Sequence, residues 1–293
     1  MSNLTQKIAE EETWDTEIKP QGGLFEINFK EIWRYRDLLM LFIKRDLVTV
    51  YKQTILGPAW YVIQPIFTTI MYVFVFGEVA GIGTGTIPQP LFYLSGVALW
   101  NYFSSCLNKT SSTFIANQGI FGKVYFPRLI VPLSVVTANL FRFSIQMLLL
   151  IAVYIYYLLF TDFFIAPNAY LLLFPVLIII MAGIALGIGI LISSLTTKYR
   201  DLSMFFSFFV GLWMYATPVI YPLDMVKSRT PWIANLLQIN PLTPIFETFK
   251  FAAFGEGVFT WGGLAYSFGF MVVLMGIGIV VFNRVQRSFM DTV

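Results

Sequence analysis

Between Lys52 and Glu78 the chain runs for 25 residues without a charge. It crosses Gly57-Pro58 and continues as "AWYVIQPIFTTIMYVFVFG". A helix needs about 20 mostly apolar residues to cross the roughly 30 Å hydrocarbon layer of a bilayer. Backbone in lipid finds no hydrogen-bond partner but itself, so a spanning segment of this composition is helical. Six stretches qualify: residues 57–78, 91–114, 131–160, 168–195, 202–221 and 260–283. Composition agrees. Only 12% of the residues are charged and mean hydropathy is +0.74. Soluble domains carry about 25% charged residues, so this chain has too little polar surface to coat a globule in water. The expected fold is an all-α integral membrane protein with six transmembrane helices.

Residues 230–257, "TPWIANLLQINPLTPIFETFKFAAFGEG", are apolar but interrupted by Pro231, Pro241 and Pro244. Proline removes a backbone donor and pushes its predecessor out of the helical region. The pieces are too short to cross, so the reading is a re-entrant pair of half-helices between the fifth and sixth spans. Charge supports that parity. Fifteen of the 19 Lys/Arg fall in the segments placed on one side: eight before the first span, then Lys109, Lys123, Arg128, Lys198, Arg200, Arg284 and Arg287. Lys227, Arg229 and Lys250 fall on the other, and Arg142 lies within a span. Such a bias puts both termini in the cytoplasm. The divisions expected are a disordered cytosolic tail (1–24, polar and acidic, with no signal-type apolar core), an amphipathic helix (25–56), a six-helix domain (57–283) and a cytosolic tail (284–293).

Four features stand out. The segment "FKEIWRYRDLLMLFIKRD" (29–46) places Ile32, Trp33, Leu39, Phe42 and Ile43 on one helical face, with Arg34, Arg36 and Asp37 mainly elsewhere. A basic amphipathic helix of this kind lies in the interfacial plane, and Gly57-Pro58 lets the chain turn from there into the first span. The link "NQGIFGKVYFPRLIVP" (117–132) crowds Phe121, Tyr125 and Phe126 among Lys123 and Arg128. Those rings either fill a groove on a partner or sit at headgroup level as belt aromatics. Arg142, in "ANLFRFSIQ", carries an insertion cost of about 2.5–3.5 kcal/mol if it lies near the bilayer centre. An acid such as Glu247, a wet cavity, an anionic ligand or snorkelling would offset it, and Gln146 shares its face one turn on. The run "MFFSFFVGLWMYATPVIYP" (204–222) holds rings that either pack against lipid or line a path for sugars. In "GIALGIGIL", Gly183 and Gly187 stand four apart, a spacing that lets helices approach closely.

Absences narrow the chemistry. There is no histidine, and Cys106 is the single cysteine. A GxxxxGK[ST] phosphate loop, an HExxH pair and a GxSxG elbow are all missing. The spans lack the paired acids that acid–base catalysis would need. The chain is therefore expected not to be an enzyme by itself and to bind no cofactor or metal.

The pieces "LFIKRDLVTVYKQTILGPAWYVIQP" (41–65), "GKVYFPRLIVP" (122–132), "KYRDL" (198–202), "ATPVIYP" (216–222), "INPLTPIFETFK" (239–250) and "FNRVQRSFMDTV" (282–293) follow one another in order. Together they resemble the membrane subunits of ABC-type polysaccharide exporters, which serve O-antigen, capsule and teichoic acid export. Gln286 and the "FMD" at 289–291 depart from the usual tail of that family. The resemblance implies a homodimer enclosing a pore in the bacterial inner membrane. It implies two separate cytosolic ATPases that bind the ATP and Mg, and a polysaccharide carried on a polyprenyl diphosphate. It assigns ATPase coupling to the 117–130 loop, with Asn117, Phe121, Lys123, Tyr125, Phe126 and Arg128. It assigns a gate and lipid-headgroup access to Trp33, Arg34, Arg36, Arg45, Asp46, Tyr51 and Lys52. The pore or outer gate would take Arg142, Phe205, Trp213, Tyr215, Tyr221, Pro241 and Glu247. A permease for small hydrophobic drugs, a membrane-bound sugar transferase and a passive channel are the competing classes.

Overall fold

A computed structural model describes residues 29–52, 54–121, 123–161, 167–196, 199 and 201–292. The expected 1–24 tail, Lys198 and Arg200 lie outside the described residues, as does the environment of the Tyr51 and Arg287 side chains. The helices in chain order are α1 (Phe29–Arg34), α2 (Arg36–Tyr51), α3 (Trp60–Tyr72), α4 (Gln89–Ser111), α5 (Thr113–Ala116), α6 (Gln118–Phe121), α7 (Ile130–Phe160), α8 (Phe174–Thr196), α9 (Leu202–Trp213), α10 (Leu223–Arg229), α11 (Pro231–Ile239), α12 (Thr243–Phe254) and α13 (Trp261–Thr292). Among the described residues there are no strands.

Among the described residues, four segments are long and apolar enough to cross a membrane: Gly57–Val79, Ile130–Phe160, Ala169–Thr196 and Trp261–Val285. Two of the six expected spans differ from this pattern. Helix α4 has the length, at 23 residues, but Asn101, Ser104, Ser105, Asn108 and Lys109 dilute its hydropathy. The expected span 202–221 is not one helix. Helix α9 has 12 residues, about 18 Å at 1.5 Å per residue, and the chain then coils through turns at 214–219. Pro218 and Pro222 explain the stop, since neither can donate to a continuing helix. Residues 230–257 do hold two short helices, α11 and α12, interrupted at Asn240-Pro241-Leu242.

Helix α8 is the hub. Half of its most apolar stretch is buried within the chain, against about a fifth for the other three. It packs on α13 and α4, and α4 also packs on α7. Glycine makes the α8–α13 approach possible. A Cβ at Gly187 would stand 3.0 Å from the Leu274 backbone, and one at Gly278 would stand 2.9 Å from the Gly187 carbonyl oxygen. The close contact read from the Gly183/Gly187 spacing is present, and its counterpart on α13 is Gly278.

At the entrance to the first span Gly57 adopts φ +51°, a left-handed conformation that favours glycine. A single 3₁₀ turn, Gly57–Ala59, with Pro58 in its first turn then leads into α3. The preceding helix is broken at Tyr35, and α2 packs along α7. The face expected from the sequence is therefore corrected. Phe42 is buried and Tyr35, Leu38 and Leu39 pack beside it, but Trp33 is 70% exposed, with Met40 and Leu41 also outward.

Candidate functional site

Three clusters gather the residues singled out above. The first joins α2 to the 113–130 segment. Phe42, Phe114, Phe121, Phe126, Ile130, Val131 and Phe282 share one apolar core. Their rings form a chain, with centroids 5.8 Å apart for Phe42–Phe126 and Phe121–Phe126, 5.9 Å for Phe114–Phe121 and 4.8 Å for the stacked Phe114–Phe282 pair. Guanidinium groups lie over two of these rings, Arg45 over Phe42 at 4.7 Å and Arg128 over Phe121 at 5.5 Å. Asn117 is buried and donates to the Thr113 carbonyl oxygen at 3.0 Å. Arg45 reaches its side-chain oxygen at 3.5 Å. Burial pushes the Arg128 pKa down.

The sequence placed Phe121 and Phe126 outward, on a partner or among headgroups. They face inward instead: Phe121 is 3% exposed and Phe126 is buried beside it. The reason is chemical. The link is short, and its rings find a closer apolar phase in Phe42 and Phe114 than any outside surface. Among its described residues the link presents outward Gln118, Gly119, Lys123, Val124 and Tyr125. The Tyr125 hydroxyl donates to the Glu31 carboxylate at 3.4 Å, and burial, then that carboxylate, raise its pKa.

Arg142 centres the second cluster. It donates from Nε to the Tyr61 hydroxyl (3.0 Å), from Nη1 to the Asn139 side-chain oxygen (2.8 Å) and from Nη2 to the Asp46 carbonyl oxygen (2.8 Å). The Asp46 carboxylate pairs with Arg45 at 2.9 Å. Arg142 therefore meets Asp46, one of the residues expected at the gate, and Tyr61 and Asn139, rather than Glu247, named with it for the pore or outer gate. Beside it a polar cavity is lined by side chains of α3, α4 and α7. Tyr61, Gln64, Asn101, Ser105 and Asn139 went unnoticed in the sequence. A usable signal existed: Asn139, Arg142 and Gln146 recur at helical spacing and share one face.

The third cluster holds Glu247, which does not meet Arg142. It pairs with Lys250, three residues on, at 3.4 Å, and both side chains are nearly inaccessible. Lys250 also donates to the Pro218 carbonyl oxygen at 2.6 Å and lies 4.2 Å from the Phe92 ring centroid. Glu247 accepts from the Val258 amide at 3.3 Å. Arg142 is thus not alone as a cation away from water, because Lys250 is buried more completely. Asn240 donates to the Ala216 carbonyl oxygen and Thr217 hydroxyl, at 2.8 and 2.9 Å. Ser267 donates to the Pro241 carbonyl oxygen at 2.7 Å. The turns after α9 are thereby bound to α11–α13.

The expected ring-lined group is scattered. Phe205 and Tyr215 are exposed, whereas Trp213 meets Phe103 edge-on at 5.4 Å. Tyr221 donates to the Tyr215 carbonyl oxygen at 2.8 Å. These rings do not line the polar cavity.

The family model for ABC-2 type transporters matches residues 37–254. The chain belongs to that family. Its members are transport permeases, which sets aside the sugar-transferase reading. The chain is 29% identical over 259 residues to an O-antigen export system permease protein RfbA of Klebsiella pneumoniae, covering 87% of this chain and 94% of that one. A protein of the same name from Myxococcus xanthus is 28% identical, with 75% and 82% covered. The polysialic acid transport protein KpsM of Escherichia coli is 22% identical, with 85% and 93% covered.

Proposed function

We propose that this ABC-2 permease is the membrane subunit of an ATP-driven polysaccharide exporter, of the kind that moves O-antigen or capsule polymers across the cytoplasmic membrane. One observation carries the reading: similarity to permeases named for O-antigen export runs through nearly the whole of both chains. A small-drug permease would share the family without sharing that relationship.

In this reading six segments cross the membrane, α9 and its following turns together making the fifth. Helices α11 and α12 form the re-entrant pair, and both termini face the cytoplasm. The lysine and arginine bias supports this arrangement. Two copies enclose the pore. Separate ATPases dock on the outward patch of the 117–130 link, at Lys123, Val124 and Tyr125. The substrate is a glycan on a polyprenyl diphosphate, and no nucleotide binds this chain.

The geometry suggests how a push would travel. Displacement of the link moves Phe121 and Phe126, which bear on Phe42 of α2. Packed rings pass on a rigid displacement where a solvated loop would absorb it. From α2 the displacement reaches α7 through the Asp46–Arg142 bond and α3 through Tyr61. Gate motion at the inner end is thus connected to the spans by contiguous contacts.

Deletion of the gene in a strain with a lipid-linked surface polysaccharide tests the reading. The expected result is polymer trapped in the cytoplasm, restored to the surface by the intact gene. Normal surface polymer in the deletion strain, with altered drug efflux, would favour the drug permease.

A further inference from the structure

We propose that the segment Val73–Val79 is a joint in the first span, where a switch of hydrogen-bond register lets the inner part of the span shift while its outer end stays in place. Helix α3 is α-helical to Tyr72, and Val73–Val79 then continues as a π-helix. The Ala80 amide donates to the Val75 carbonyl oxygen, five residues back, at 2.9 Å, and the Ile82 amide to the Phe76 carbonyl oxygen, six back, at 2.8 Å. An α-helix bonds each amide to the carbonyl four residues back. The same residues therefore form a wider and shorter coil than they would in an α-helix. π turns are rare, occur mostly singly and are frequent at functional sites. When these carbonyls pass to the amides four residues on, the segment lengthens and the span turns, with each carbonyl still bonded.

The outer end is held. Gly77 is buried against Gln89, the first residue of α4, whose side-chain amide a Cβ there would strike. Ile87 is buried in the main core, and the Thr84 hydroxyl donates to its carbonyl oxygen at 2.7 Å. The Thr86 amide and hydroxyl both donate to the Glu256 carboxylate. That ties the end of the span to the segment between α12 and α13.

The middle of the span is held weakly within the chain. About a fifth of the 57–79 segment is buried, and Trp60, Phe67, Ile70 and Met71 face outward. The Thr69 hydroxyl is buried without a partner. The Tyr72 hydroxyl reaches the Met214 sulfur at 3.7 Å, and a thioether is a weak acceptor. A firm tie lies at the inner end, where Tyr61 accepts from Arg142, which also holds the Asp46 carbonyl oxygen of α2. A span tied firmly at both ends and loosely between them takes up a displacement of α2 along its own length. Pro65 lies inside α3, but a proline kink redirects a helix without letting it change length. The joint rests on the export reading only for what displaces α2.

The test is amide hydrogen exchange, read by mass spectrometry on the full-length permease assembled with its ATPase, with and without ATP and vanadate. Amides in residues 73–82 should exchange at least about tenfold faster than those in 60–72, and ATP should change that rate several-fold, as for a segment that opens locally. Deleting Val75 removes the surplus residue of the π turn. The deletion protein should melt like wild type, exchange slowly at the joint, and lose export at least about tenfold while ATP hydrolysis continues. Pro65→Ala, which removes the other irregularity of the span, should export like wild type. A joint that exchanges as slowly as α3, or a folded Val75 deletion that exports like wild type, would overturn the proposal. Loss of export in Pro65→Ala would move the flexing point to the proline and overturn it too. If the deletion does not fold, exchange in the wild-type protein decides. Exchange is read without cargo, so failure of the polysaccharide reading would show separately, as wild-type transporter that carries no polymer.

Discussion

The inward turn of the link aromatics separates two substitutions that look alike on paper. Phe121→Ala removes a ring that is 3% exposed and meets Phe114, Phe126 and the Arg128 guanidinium. A buried aromatic covers about 150–250 Å². At about 25 cal/mol per Å² that is about 4–6 kcal/mol, and measured Phe→Ala losses in packed cores run about 3–5 kcal/mol. Tyr125→Ala removes a ring that is 46% exposed, with one long hydrogen bond to Glu31. Its cost should stay under about 1 kcal/mol. The assay is thermal melting of the detergent-solubilised protein beside export by the assembled transporter. Phe121→Ala should lower the melting temperature and the yield. Tyr125→Ala should melt like wild type and, if the ATPase docks there, lose export while ATP hydrolysis continues. Equal melting of Phe121→Ala and wild type would refute the reasoning, as would a Tyr125→Ala protein as unstable as Phe121→Ala.

Other sites yield sharper stability tests. Lys250→Met leaves Glu247 buried without its cation and should cost about 3–5 kcal/mol; adding Glu247→Gln should recover much of that, read by melting temperature. Gly278→Leu forces a side chain against the Gly187 backbone, where even a Cβ would stand 2.9 Å away, so loss of folded protein by size-exclusion chromatography is expected. Glu256 accepts from both the amide and the hydroxyl of Thr86, so Glu256→Ala should speed protease cleavage in residues 80–88 while the core melts as before.

Some of this architecture was legible along the chain because the relevant physics is local. Charge-free runs of spanning length select a lipid solvent. Pro231 and Pro244 open short helices, in whose first turns a missing N–H costs nothing, and Pro241 lies in the break between them; the left-handed turn at Gly57 needs no distant partner. The spacing of Gly183 and Gly187 likewise announced a close helix contact. Membrane chains then withhold other information. A residue facing lipid and one facing a neighbouring helix are both apolar, so periodicity does not separate them. That is why Trp33 was placed with Phe42 on one face although it points away, and why Phe121 and Phe126 were read as exposed.

Pairing between elements is where the fold alone decided. Glu247 was one candidate partner for Arg142 because both are rare charges, but α12 folds it onto its own Lys250, and Arg142 donates to Tyr61, Asn139 and Asp46. Those three partners come from α3, α7 and α2, distant in sequence and adjacent only after packing. The sequence by itself determined which solvent the chain lives in and that residues 230–257 form short pieces, because each follows from transfer energies and dihedral limits of nearby residues. The tertiary structure alone determined which rings and charges meet, because that depends on how helices of nearly uniform hydrophobicity rotate against one another.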